Sequence, residues 1–164
     1  MNQPYIGYRG AVKPEWIDVN GHMNATHFGL VIYEAHAAHS EWLGFNEEYV
    51  DRARCGKAVL ESHMRYEREA GLGDQLEVRC WLLAVDNKRL HFFHELYNCS
   101  RQCRSATSEQ VDIHIDLHAR RSADMPESLQ RFLREQVREN LALPLPLNIG
   151  SQLRPPLNTW LDGE

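Results

Sequence analysis

No stretch of this 164-residue chain approaches the roughly 20 consecutive apolar residues that a membrane-spanning helix requires. Its first residues, Met-Asn-Gln-Pro-Tyr, lack the charged-then-apolar pattern of a secretory leader, so a cytoplasmic location is expected. Cysteine is scarce: Cys55, Cys80, Cys99 and Cys103 are too few and too irregularly spaced for a disulfide scaffold, and reduced thiols are expected. Basic charge is outweighed, with 18 Lys and Arg against 23 Asp and Glu and a net charge of −5. That balance argues against nucleic acid as a partner, because phosphate neutralisation needs a basic face. There is no Gly-rich phosphate loop and no Gly-x-Ser-x-Gly elbow, so nucleotide hydrolysis and serine-triad chemistry have no support.

What is present suits one globular domain, with 43% hydrophobic and 25% charged residues arguing against disorder. Residues 5–13 read as a strand weakened by two glycines and closed by Pro14. From Thr26 to Leu43, Phe28, Ile32, Ala35, His39 and Trp42 recur at the helical period, and Leu30, Tyr33 and Ala37 widen the stripe. That predicts one long, largely buried helix ending near Gly44, followed by a polar stretch, 46–54, that is helical or loop. The period then changes to two. Strands are predicted over 58–68, 76–82, 90–96 and 111–117, with turns at Gly71 to Asp74 and at Asp86-Asn87. Strict alternation implies an antiparallel sheet with one covered face and one wetter face. Pro126 opens a second, amphipathic helix carrying Leu129, Phe132, Leu133 and Val137. The expected organisation is a domain over 1–140 and an irregular arm over 141–164, which holds four of the seven prolines. The whole is α+β, an antiparallel sheet around one central helix.

The chemistry concentrates just before that helix. Asp18, Asn20, His22 and Asn24 stand on alternate positions of Trp-Ile-Asp-Val-Asn-Gly-His-Met-Asn-Ala-Thr-His-Phe. A helix start offers unpaired N–H groups and partial positive charge, which stabilise an oxyanion, so the backbone at Ala25 and Thr26 is a candidate donor pair. Asp18 beside it can serve as base or nucleophile, Asn20 can orient it, and His22 and Asn24 can polarise a carbonyl or hold water. Each Asx residue alone is better explained as a turn or cap. All four in order are harder to explain that way.

The line-up resembles the Asp-x-Asn-x-His-x-Asn signature of hotdog-fold thioesterases. In part it matches the 4-hydroxybenzoyl-CoA thioesterase type, whose Asp followed three residues later by Gly corresponds to Asp18 and Gly21. Tyr66 and Gly73-Asp74 are similar to that superfamily's strand Tyr and Gly-Asp turn. Closer blocks, Glu61-Ser62-His63-Met64-Arg65-Tyr66 and Asp86 to His91, look like the thioesterase module associated with L-carnitine dehydrogenase and betainyl-CoA. The resemblance implies a hotdog fold, cofactor-free acyl-CoA hydrolysis and a homodimer or homotetramer that builds each site from two chains. It makes Glu61 and His63 additional candidates, reaching the Asp18 pocket across a dimer interface. Arg65, Arg68, Lys88 and Arg89 are candidates for CoA phosphates, and Trp16, Tyr33, Trp42 and Tyr66 for a trimethylammonium acyl group. A thioesterase for short-chain or aromatic acyl-CoA, a hotdog hydratase and a non-catalytic acyl-CoA sensor are the competing readings.

No metal is expected. His36 and His39 lack the i, i+4 spacing of a helical zinc site. Alternating Asp112, His114, Asp116 and His118 lie too far apart along a strand, neighbours on one face being about 7 Å apart, and read as a polar sheet face.

Overall fold

The computed structural model describes residues 3–150 and 156–161. Strands β1 (Tyr5–Ala11), β2 (Cys55–Tyr66), β3 (Gln75–Val85), β4 (Arg89–Asn98) and β5 (Cys103–Asp116) pair antiparallel in the order β1-β3-β4-β5-β2. The two-residue β6 (Arg121–Ser122) adds to the end of β5. Helix α1 (Ala25–Trp42) crosses one face of this sheet over β1, β3 and β4. The short α2 (Glu47–Ala53) follows it, and α3 (Glu127–Leu141) extends the helical layer. This is the hotdog arrangement.

Asn24 sets where α1 begins: its backbone is extended and its side-chain Oδ1 accepts the Thr26 N–H at 2.9 Å. The helix then buries Phe28, Val31, Ile32, Ala35, His36, His39 and Ser40, a single stripe at the 3.6-residue period. Gly7 lets the helix lie directly on β1, since a Cβ there would stand 2.5 Å from the Ala35 carbonyl oxygen. The opposite side of α1 is uncovered, with Leu30 and Tyr33 51% and 64% exposed. The expectation of one long, largely buried helix therefore holds for one side of α1 among the described residues. The sheet covers one side only.

The β strands differ from expectation in one respect that matters for the site. Strand β5 begins at Cys103, eight residues before the predicted start, because Thr107-Ser108-Glu109-Gln110 is polar yet wholly buried. Its faces are also reversed. Asp112 and Gln110 sit opposite Leu90 and Phe92 of β4, on the face toward α1, while Val111 and Ile113 point the other way. Asp112 and His114 are thus buried core residues rather than a polar outer face.

The described C-terminal residues close the sheet. The β1 pairing ends at Tyr5 opposite Cys80, so among the described residues the following part of β3 has no strand neighbour on that edge. Asn140 accepts the Leu82 N–H at 3.1 Å, Asn158 accepts from Val85 N–H at 3.1 Å and donates to the Leu83 carbonyl at 2.9 Å, and Trp160 donates to the Val85 carbonyl at 2.7 Å. Side chains replace the missing ladder. On the outer face, Leu141 and Ile149 pack on Trp81, Leu83 and Phe93.

Candidate active site

The loop before α1 folds back on itself: Asp18 N–H donates to the His22 carbonyl and Gly21 N–H to the Asp18 carbonyl, each at 3.0 Å. Gly21 takes φ +82°, the left-handed conformation that suits glycine. This tight turn aims the half-buried Asp18 carboxylate at the helix start. Oδ1 accepts the Asn20 N–H at 2.8 Å, and Oδ2 accepts from the Asn24 amide at 3.4 Å. Asn20 therefore orients Asp18 through its backbone, and its own side chain is exposed. Of the two helix-start donors, Thr26 N–H is occupied by Asn24. The Ala25 N–H has no partner among the described residues.

Asp18, His22, Asn24 and Ala25 line a cleft of about 370 Å³, closed on its other side by Phe28 and by Tyr66 to Glu69. Tyr66 meets Phe28 edge-on, ring centroids 5.7 Å apart. His22 Nε2 stands 3.7 Å from Glu69 Oε2. Two hydrogen bonds fasten the walls, Met23 N–H to the Ala70 carbonyl and Asn24 N–H to the Trp16 carbonyl, both 2.8 Å. A fixed carboxylate beside an open helix N-terminus can drive water, or itself, onto a carbonyl carbon and hold the resulting oxyanion.

A family model described as Thioesterase-like superfamily matches residues 12–133. The chain belongs to that superfamily. This thioesterase is 33% identical over 150 residues to the betainyl-CoA thioesterase of Pseudomonas aeruginosa, covering 92% of this chain and 94% of that one. It is also 33% identical to the L-carnitine dehydrogenase/betainyl-CoA thioesterase of Agrobacterium fabrum, over 87% of this chain but only 29% of that longer protein. Among solved structures, a Staphylococcus aureus protein in complex with CoA superposes with a TM-score of 0.82 at 24% identity, covering 94% and 98% of the two chains. The chain is a thioester hydrolase.

The remaining sequence candidates scatter over the thioesterase. Trp16 stacks on His27 at 5.4 Å beside the motif loop, and Tyr33 is exposed on the free side of α1. Trp42 joins Tyr5 and His39 at the far end of the helix. Glu61, His63 and Arg65 stand opposite Val111, Glu109 and Thr107, on the face of β2 away from α1, so within one chain they do not meet the cleft. Lys88 pairs with Asp124 at 3.4 Å and Arg89 with Asp86 at 2.8 Å, at the opposite end of the sheet. Among the four basic candidates, only Arg68 lines the cleft. Sequence reasoning missed Glu67 and Glu69, which line the same cleft as Asp18 because β2 ends beside the motif loop.

It also missed a buried polar cluster beneath the middle of α1. His36 Nε2 is ringed by Lys57 Nζ at 2.7 Å, Gln110 Nε2 at 2.8 Å and Asp112 Oδ2 at 3.0 Å, and its Nδ1 meets His94 Nε2 at 3.2 Å. Lys57 also donates to Asp112, and Gln110 donates to the other Asp112 oxygen at 2.9 Å. Burial by itself would raise the Asp112 pKa, yet the His36 hydrogen bond and the Lys57 charge outweigh it and bring it down to about 2. Burial pushes Lys57 down, against Asp112, and pushes His36 and His94 down as well. His39, stacked on Tyr5, falls to about 3, chiefly by burial. The cluster ties α1 to β2, β4 and β5 and so fixes the helix whose N-terminus carries Asp18.

Proposed function

We propose that this hydrolase cleaves betainyl-CoA to betaine and CoA, with Asp18 as the group that drives the reaction. The observation that carries the mechanism is the Asp18 carboxylate held by Asn20 N–H and Asn24 beside the open N–H of Ala25. Asp18 attacks the thioester carbonyl or draws the proton from an attacking water. Negative charge then develops on the carbonyl oxygen, facing the α1 N-terminus, where fixed dipoles stabilise it. Collapse expels CoA as thiolate, and since a thiol pKa is about 8.5 this leaving group needs no strong acid. Where water attacked, betaine is released directly; where Asp18 attacked, the acyl group stays on its carboxylate as a mixed anhydride, which a water then hydrolyses to free betaine and regenerate Asp18. His22 and Asn24 hold the water or the carbonyl. The substrate rests on the relative that matches over nearly its full length.

The enzyme works as a homodimer, with a homotetramer as the larger form. Among the described residues the outer edge of β2 carries no strand partner, and the exposed Leu30 and Tyr33 of α1 leave apolar surface open. Glu61 and His63 would serve an Asp18 cleft only from a second chain.

The test is CoA release, followed by thiol trapping, over betainyl-CoA, short, medium and long acyl-CoAs and benzoyl-CoA. Turnover concentrated on betainyl-CoA is expected. Broad turnover would remove the substrate assignment, and tight binding without release would favour the sensor reading.

A further inference from the structure

Betaine places its quaternary nitrogen one methylene from the acyl carbon, so the cation lies about 2.5 Å from the carbonyl carbon. Any thioester presented to Asp18 must therefore hold its trimethylammonium group inside the same cleft. That group has no N–H to donate. It can be recognised only by aromatic faces and by a carboxylate at van der Waals range.

The cleft carries both on the wall facing Asp18. Tyr66 is 55% exposed, held perpendicular to buried Phe28, so its ring is presented while the Phe28 ring is not. The two acids of that wall differ. Glu67 is clamped by Arg104, Oε1 at 2.7 Å and Oε2 at 2.8 Å, and is neutralised there. Glu69 meets Arg101 only through Oε1 at 3.4 Å, and that guanidinium is held more tightly by Asp74 at 2.7 Å. Its other oxygen, Oε2, is the one turned toward His22. Arg68 shares the wall, and Glu69 is the acid there that is held only loosely, by Arg101 at 3.4 Å and His22 at 3.7 Å.

Resting on the betainyl-CoA reading, we infer that Tyr66 and Glu69 form an acyl-cation subsite that selects substrates with a quaternary ammonium next to the thioester. The probe is a pair of substrates of the same shape, betainyl-CoA and 3,3-dimethylbutyryl-CoA, in which carbon replaces the charged nitrogen. The ratio of their kcat/KM values reads recognition of charge and is insensitive to loss of active enzyme. Wild type should favour betainyl-CoA, and Glu69→Gln and Tyr66→Leu should each lower the ratio about tenfold. Glu69→Lys should lower it further, and Glu69→Asp should restore part of it. A wild-type ratio near one, or a ratio unmoved by Glu69→Gln and Tyr66→Leu while betainyl-CoA is still hydrolysed, overturns the subsite alone. Hydrolysis of neither substrate overturns the betainyl-CoA reading and the subsite with it.

Discussion

Asn24 spans the boundary between catalysis and fold: its amide nitrogen lies 3.4 Å from Asp18 Oδ2 while its amide oxygen caps α1 through the Thr26 N–H at 2.9 Å. The two roles can be separated. Asn24→Asp keeps an effective cap but sets a second carboxylate against Asp18, whereas Asn24→Ala removes cap and donor together. Asn24→Ala should lose about 1 kcal/mol of stability. Asn24→Asp should unfold within about 0.5 kcal/mol of wild type and still lose at least about tenfold in kcat. Denaturant unfolding beside kcat checks this, and full activity in Asn24→Asp would remove the donor role.

The Lys57–Asp112 pair is the ionic centre of the cluster under α1. Breaking it from one side leaves an uncompensated charge among buried histidines. Asp112→Asn or Lys57→Met should each cost about 3–5 kcal/mol, and the double variant less than the sum. A double-mutant cycle by urea unfolding measures the coupling, and additive losses would contradict it.

The histidines beneath α1 make the fold acid-sensitive. His39 is held at about 3, and His36 and His94 are also lowered, so near pH 5 the unfolded chain binds protons that the folded chain refuses. Stability is therefore full above about pH 6.5 and falls as pH drops below it. His39 alone accounts for about 2 kcal/mol of loss at pH 5. The lowered pKa of Asp112 adds a second loss, below its unfolded value and extending toward pH 2. Unfolding free energies should hold nearly level from pH 7.5 to about 6.5 and then decline toward pH 4.5, and His39→Phe should flatten the slope. A pH-independent stability would contradict the burial argument.

The edge of β3 depends on borrowed side chains. Asn158→Ala leaves the Val85 N–H and Leu83 carbonyl without their partner, and should cost about 1–2 kcal/mol without changing kcat/KM. Thermal unfolding and steady-state kinetics together test this, and a loss of activity at unchanged stability would give the C-terminal segment a different role.

The sequence announces what periodicity can announce. Both long helices, the strands of the β3–β4 hairpin and the Asp18 loop follow from apolar spacing, turn residues and a capping Asn. The first half of strand β5 and the facing of its predicted second half do not, because the rule that apolar residues face inward fails where polar partners satisfy one another. Asp112, Gln110 and His94 are buried because His36 and Lys57 meet them, and the contacts of that cluster join residues 21 to 76 positions apart. Glu69 escaped notice for a similar reason. Nothing local distinguishes it from a solvated strand-end acid until the turn at Gly21 brings His22 across to it.

The central claim is that Asp18 drives thioester hydrolysis, and release of CoA from betainyl-CoA by wild type and by Asp18→Asn tests it most directly. Asp18→Asn keeps the shape and the oxygen that accepts the Asn20 N–H, so it should fold as wild type does by circular dichroism. The account predicts that kcat falls by at least about 10³ in Asp18→Asn. A folded Asp18→Asn variant that releases CoA at the wild-type rate would contradict it.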